Sequence, residues 1–372
     1  MRYRTMIGVL VAIVVAMAAC SSETPTSGGE GDDGGGNGDE ATGFEEVMEQ
    51  IEGLSGEERT DKLVELSTEE GQLNLYTSMT SDLADEVASA FDDAYGIEPS
   101  VYRADSETVL TRLVEEADAG FPGSDIAETN GTELAALNQE GVLVDLETET
   151  TAGLVEGSTY EGWISDRFNK FVISWNTDSV PASEAPTRWE DLADPKWDGQ
   201  LALEPSDVDW FKTLWEYWAD EGKSEQEIEG LFRDMADGAL FTKGHTVMGE
   251  LLTAGEFQVA ASNYSYIVQN AKDDGAPVEW QPPTQPIITR PNGIGLVKGA
   301  QHPATAILFM EWMLTDGQEV LVDFNLDPAR QDLATAPNTE EVFVDLDSFL
   351  AEQDDWTSRY EELVSLGEVV EE

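Results

Sequence analysis

Residues 72–78 (QLNLYTS), 81–95 (SDLADEVASAFDDAY) and 97–103 (IEPSVYR) decide the fold. In the first, Leu73 and Leu75 alternate on one side of a strand. In the second, Leu83, Val87 and Phe91 share one helical face, and Gly96 stops the helix. The third is a strand again. The same succession continues with a helix over Ser106–Ala119 (Val109, Leu110, Leu113 and Ala117 on one face) and a short strand at Asp125–Thr129. A helix from Thr132 to Gln139 follows, with a stop at Gly141. Strand–helix units of this length predict an α/β fold with a mostly parallel sheet covered by helices on both faces.

Outward from this stretch, Phe44, Val47, Met48, Ile51 and Leu54 recur at helical spacing, and residues 62–70 carry another short amphipathic segment. Toward the C-terminus, Phe168–Trp175 is an apolar strand, Trp210–Trp218 a tryptophan-rich helix and Phe257–Ala261 a further strand. Pro282, Pro283, Pro286 and Pro291 break the chain before a short strand at Gly293–Val297, and Ala304–Leu314 is a strongly apolar helix. This order predicts two α/β lobes with the chain crossing between them more than once. The first part of lobe 1 is expected at 44–167 and lobe 2 at 168–284. A return to lobe 1 with C-terminal helices is expected at 285–372.

The amino terminus reads as an export signal. Arg2 and Arg4 precede an apolar run from Met6 to Ala19, which is too short to cross a bilayer core of roughly 30 Å. Met17-Ala18-Ala19-Cys20 resembles a lipobox and contains the only cysteine of the chain. The expectation is a signal peptide over 1–19, a lipidated Cys20 and a tether over 20–43. Residues 21–43 hold eight Gly and six Asp or Glu and nothing large and apolar, so they bury too little surface to order themselves. Export and lipid together place the folded part on the extracellular face of the cytoplasmic membrane.

Composition excludes several functions. With 19 Lys and Arg against 77 Asp and Glu in 372 residues, the formal charge of −58 repels a phosphate backbone, so no nucleic acid is expected as partner. One cysteine forms no internal disulfide, and two histidines do not furnish a His/Cys zinc cage. The acids are spread through every segment rather than gathered in a tail. At molar salt the Debye length falls to roughly 3 Å and screens such self-repulsion, which points to a halophilic protein.

Certain residues carry a family resemblance. Leu75-Tyr76-Thr77-Ser78, Tyr102-Arg103-Ala104-Asp105-Ser106 and Asp125-Ile126-Ala127-Glu128-Thr129 resemble the first lobe of extracellular solute-binding proteins of ABC importers. The likeness is to the iron(III)-type branch of the type 2 periplasmic-binding fold. It continues through Trp175-Asn176-Thr177, residues 189–197 (WEDLADPKW), Gly244-His245-Thr246 and Arg290-Pro291-Asn292-Gly293-Ile294-Gly295, covering roughly 60–335. The resemblance implies two lobes joined by hinge strands, a ligand cleft between them, and ABC permease and ATPase subunits as partners of a monomer. Relatives that bind bare iron resemble one another in two adjacent tyrosines. Here the stretch reads Asn263-Tyr264-Ser265-Tyr266, so Tyr264 matches as a metal donor and its neighbour is serine. Iron(III) is hard and takes oxygen donors; it enters as transported ligand, with no resident cofactor.

Three loops bring small polar residues to helix starts, where free N–H groups bind anions or simply receive caps. They supply Ser78 and Thr80, Asp105 and Ser106, and Asn130 as candidate ligand contacts. Arg167, a rare cation at the crossing into the second lobe, offers a bidentate clamp or a salt bridge. Trp210 follows Asp207 and Asp209 and presents an aromatic face or core packing, while His245 lies in a loop before a helix at 247–252. No catalytic residue is assigned: no Gly-x-Ser-x-Gly elbow, phosphate loop or dinucleotide fingerprint is present. The expected function is capture of a small solute for import, iron(III) or an iron–anion complex being favoured by the resemblance. Another organic solute (amine or anion), a solute sensor and, last, an exported hydrolase are the alternatives.

Overall fold

A computed structural model describes residues 42–145, 148–334 and 339–370. The signal segment, Cys20 and all of the tether before Thr42 lie outside the described residues. The described residues begin with helices α1 (Thr42–Ile51) and α2 (Gly56–Glu70), so α1 takes in the last residues of the stretch expected to be tether. Then come β1 (Asn74–Thr77), α3 (Ser81–Tyr95), β2 (Ser100–Arg103), α4 (Ser106–Asp118), β3 (Ile126–Asn130), α5 (Gly131–Gln139) and β4 (Leu143–Val144). The middle of the chain forms β5 (Thr159–Tyr160), β6 (Trp163–Asn176), β7 (Leu201–Leu203), α6 (Val208–Asp220), α7 (Glu225–Ala236) and β8 (Leu240–Thr242). It continues as α8 (His245–Ala254), β9 (Val259–Tyr264), α9 (Ser265–Asp273), β10 (Val278–Glu279) and β11 (Ile287–Val297). Last are α10 (Pro303–Met313), α11 (Gln318–Asp323), β12 (Asp327–Pro328), β13 (Glu341–Phe343), α12 (Leu346–Val364) and β14 (Glu368–Val370).

The α/β expectation holds, and the sheet is continuous. Its order is β14-β8-β7-β9-β6-β11-β3-β1-β2. One flank, β2-β1-β3, is parallel, and so is the other, β14-β8-β7-β9. Between them β6 and β11 run antiparallel to each other and to their outer neighbours. The two long strands therefore belong to both lobes, and every strand of a parallel flank aims its C-terminal end at the cleft line between them.

Burial explains the elements. In α3 the buried residues are Leu83, Ala84, Val87 and Phe91, a single stripe at helical spacing, and Gly96 closes the helix at φ +70°. Phe91 meets Phe309 and Trp312 of α10 edge-on, with ring centres 5.0 and 5.3 Å apart. In the second flank, Trp189, Trp210, Phe211, Trp215, Trp218 and Phe232 form one core with Trp356 and Tyr360 of α12. The stretch 285–372 returns to the first lobe through α10, whereas α12 packs on α5, α6 and α7 and β14 pairs with β8 at the far edge of the second flank.

Two strands are longer than expected. β6 starts at Trp163 instead of Phe168, taking in Ser165, Asp166 and Arg167, all buried. β11 starts at Ile287 instead of Gly293 and contains Pro291, which was expected to break it. A proline fits there because one side of β11 is unpaired at that point. β13 ends opposite Thr289 and the antiparallel β3 ends opposite Asn292, so no partner on that side needs an N–H from Pro291. Gly131 then lets α5 start against β11, since a Cβ would sit 2.7 Å from the Pro291 carbonyl oxygen.

Candidate functional site

Six helix starts converge on the cleft line. From the first flank, β1, β2 and β3 run into α3, α4 and α5; from the second, β7, β8 and β9 run into α6, α8 and α9. Ligands of open α/β sheets sit beyond such strand ends.

The first flank is small and polar. Ser78 is half-buried, and its hydroxyl accepts from Thr129 Oγ1 at 2.9 Å. Thr80 stands at the cap position of α3 without making a side-chain cap bond. Asp105 is exposed and caps α4, its Oδ1 accepting from the Thr108 N–H at 3.0 Å and its Oδ2 from the Thr108 hydroxyl at 2.9 Å. Partial burial pushes its carboxyl up, but these bonds and Lys243 outweigh burial and hold it below the ordinary value. Ser106 is the first, half-buried residue of α4. Asn130 precedes α5, and its Oδ1 accepts from Asn292 Nδ2 at 2.9 Å. Lys243, at the end of β8, reaches across to Glu107 of α4 at 3.7 Å.

The second flank is aromatic and charged. Tyr264 ends β9 and is 7% exposed; its hydroxyl accepts a hydrogen bond from Arg290 Nη2. His245 is the first residue of α8 rather than a loop residue, because Gly244 at φ +89° turns the chain directly into the helix. Its ring stacks on that of Tyr264, with centres 3.7 Å apart and planes 13° from parallel. His245 Nε2 lies 3.1 Å from Asp207 Oδ2. Behind them Glu204 accepts from the Gly244 N–H at 3.0 Å and the Ser206 N–H at 2.5 Å; burial, then Asp207, raises its carboxyl pKa. Arg290 Nη1 also pairs with Asp209 Oδ2 at 3.1 Å. Burial raises the Tyr264 phenol well above its ordinary value, with Asp207 and Asp209 adding to it and Arg290 opposing.

Two candidates have other employment. Arg167 is 3% exposed and ion-paired to Glu128 and, at 3.1 Å, to Asp166. Burial works against its charge, but the two carboxylates hold the guanidinium above its ordinary pKa. Both ion pairs are made through Nη1, and they brace β6 against β3. Trp210 is 0% exposed and packs between Trp189 and Phe232, with ring centres 5.5 and 6.0 Å away. Its place is in the second core.

Other residues at the cleft line escaped the sequence reading. Tyr266 stacks near Tyr264 with ring centres 6.0 Å apart, and it packs against the cores of both flanks. Burial pushes its phenol up to about 12. Arg290, a cation within an otherwise uncharged strand, was the signal available in the sequence. Arg103 donates from Nε to the Met79 carbonyl at 2.9 Å at the foot of α3. Among the described residues no group of three or more His, Cys, Asp or Glu is arranged to hold a metal ion. The hard oxygen donors near this site are the Tyr264 and Tyr266 phenols and the Asp207 and Asp209 carboxylates, the last two already engaged by His245 and Arg290.

Two parallel α/β flanks opposed across antiparallel crossing strands, with polar helix starts facing one another, define a type 2 periplasmic-binding architecture. The family model described as bacterial extracellular solute-binding protein matches residues 136–347, over half of the chain. The chain belongs to this family of extracellular transport binding proteins. Similar proteins include iron uptake protein A1 of Synechocystis sp., 22% identical over 300 residues (75% of this chain and 81% of that one). Iron-bound HitA of Pseudomonas aeruginosa has a similar fold, with TM-score 0.65 and 20% identity, covering 78% of this chain and 99% of that one. So does AfuA of Actinobacillus pleuropneumoniae with fructose-6-phosphate bound, with TM-score 0.70, 18% identity and coverages of 79% and 99%. Among the described residues no helix is long and apolar enough to cross a membrane.

Proposed function

We propose that this protein is the lipid-anchored solute-binding component of an ABC importer and captures iron(III) together with an anion. The observation that carries this reading is the pairing of Tyr264 and Tyr266 with the polar helix starts opposite them. Two phenols suit a hard cation, and the helix starts of α3, α4 and α5, with Arg103 beside the first, suit an anion. The iron uptake relative and the iron-bound HitA fold support the same ligand. In this reading Ser78, Thr80, Asp105, Ser106 and Asn130 line one wall, Tyr264 and His245 the other. Cys20 carries the lipid, the lobes follow 44–167 and 168–284 with α10 returning to the first and β14 joining the second, and a monomer delivers its cargo to the permease and ATPase in molar salt. The test is metal analysis and mass spectrometry of the protein purified in molar salt, with Cys20→Ser compared for release into the medium. Co-purified iron with an organic or inorganic anion supports the reading. Protein free of iron that takes none up counts against it.

One observation favours a second ligand, an anion without metal. Arg290 already donates to the Tyr264 hydroxyl, which places a guanidinium where a metal would need the phenol oxygen. Uptake of an organic anion by iron-free protein distinguishes the two.

A further inference from the structure

The middle of the cleft line is formed by one face of β6 and β11. Arg290 lies directly opposite Asn169, and Asn292 opposite Arg167. Partners in such register share a face with Cβ atoms about 5 Å apart. Asn169, Arg290 and Asn292 are 4%, 4% and 1% exposed. Yet Asn169 Oδ1, Arg290 Nε and Asn292 Oδ1 have no hydrogen-bond partner among the described residues. A buried polar atom left unpaired is costly, so three on one small face need an account. Their neighbours locate them. Arg290 is held by Tyr264 and Asp209 of the second flank, and Asn292 donates to Asn130 at the start of α5 in the first. The three atoms therefore lie between the two walls, where a solute held by both would rest.

We infer that this face is a hydrogen-bonding subsite for a small hydroxylated anion, whose anionic oxygen accepts from Arg290 Nε and whose hydroxyls donate to Asn169 and Asn292 Oδ1. A bare metal ion can be coordinated by the two amide oxygens but leaves the Arg290 Nε–H without an acceptor and is repelled by that guanidinium. Inorganic phosphate accepts from Arg290 Nε and has only its own P–OH to donate, so a preference for the sugar ester isolates the contribution of the added carbon-borne hydroxyls. A hydroxycarboxylate and a sugar phosphate share the required chemistry. This inference rests on the solute-binding reading above.

The experiment is calorimetric titration at constant molar salt with two pairs of probes. Citrate is compared with tricarballylate, which lacks only the hydroxyl, each with and without equimolar iron(III). Fructose 6-phosphate is compared with inorganic phosphate. The hydroxylated member of at least one pair is expected to bind at least about tenfold more tightly, the worth of one hydrogen bond to a buried group. The pair that shows the preference identifies the source, hydroxycarboxylate or sugar phosphate. Asn169→Leu and Asn292→Leu, which keep the side-chain size, are expected to erase that preference. The wild-type comparison needs no variant, so it decides even if these fold poorly. Equal affinity within both pairs, or a preference that survives in both folded variants, overturns the inference. Binding of iron(III) alone with neither pair overturns it too while leaving the importer reading standing. If nothing binds, both fall.

Discussion

The two walls of the cleft use the same local device, a parallel strand running into a helix start, and furnish it in opposite ways. On the first flank the starts carry Ser78, Thr80, Ser106 and Asn130, whose side chains bond to neighbouring strands or to nothing. On the second, Tyr264 is stacked on His245, bonded to Arg290 and backed by Asp207, Asp209 and Glu204. The first wall thus offers several short donors and acceptors at little cost in reorganisation. The second is a braced aromatic and ionic unit whose members hold one another's positions.

The largest effect comes from the brace between the walls. Arg167→Met leaves the wholly buried Glu128 and Asp166 without their cation. Breaking a buried pair of this kind costs about 3–5 kcal/mol, which denaturant titration at constant salt measures. A change below about 1 kcal/mol would mean that Arg167 is not the brace. Next is the core behind the second wall. Trp210→Ala is expected to cost a similar 3–5 kcal/mol by opening a cavity, whereas Trp210→Phe retains a ring, costs less and leaves solute affinity unchanged. Loss of affinity in a stable Trp210→Phe protein would return Trp210 to the site.

Tyr264→Phe tests the second wall itself. Its hydroxyl has a buried charged partner, so its removal strands part of the Arg290 fork and costs about 1–3 kcal/mol even without solute. Unchanged stability would show that Arg290 finds another acceptor. The smallest effect belongs to the first wall. Asp105→Ala removes the α4 cap and costs about 1 kcal/mol. The folded Asp105 carboxyl lies below its unfolded value near 4, so the bound form is the anion. The cap's contribution is full above that unfolded value and fades as pH falls through the lower folded pKa. The difference between wild type and Asp105→Ala is therefore expected to close in acid. A difference independent of pH would show a cap that does not depend on charge.

Much of the first flank was legible because its residues obey local rules. The stripe Leu83, Val87, Phe91 and the stop at Gly96 match α3 from Ser81 to Tyr95. The crossing strands were not legible to the same degree, since they break those rules. Ser165, Asp166 and Arg167 interrupt the apolar pattern of β6 but are buried because Glu128 and Gln318 of distant elements meet them. Pro291 reads as a breaker, and only the gap between β13 and β3 makes it harmless. Trp210 after Asp207 and Asp209 read as a possible ligand surface, because nothing local tells a packed ring from a presented one.

The sequence by itself determined the family, the α/β class, the acidic surface and the strand ends at which small polar residues would gather. These follow from periodicity, composition and short motifs, each set by neighbours along the chain. Only the tertiary structure decided that Tyr266 joins Tyr264, that Arg290 holds the Tyr264 hydroxyl, and that Arg167 serves as a brace. It also placed Asn169, Arg290 and Asn292 on one face. Those relations depend on register between β6 and β11 and on partners far apart along the chain, 127 residues in the case of Ser165 Oγ and the Asn292 carbonyl. No local rule encodes that pairing, because it is the packing of both flanks that selects it.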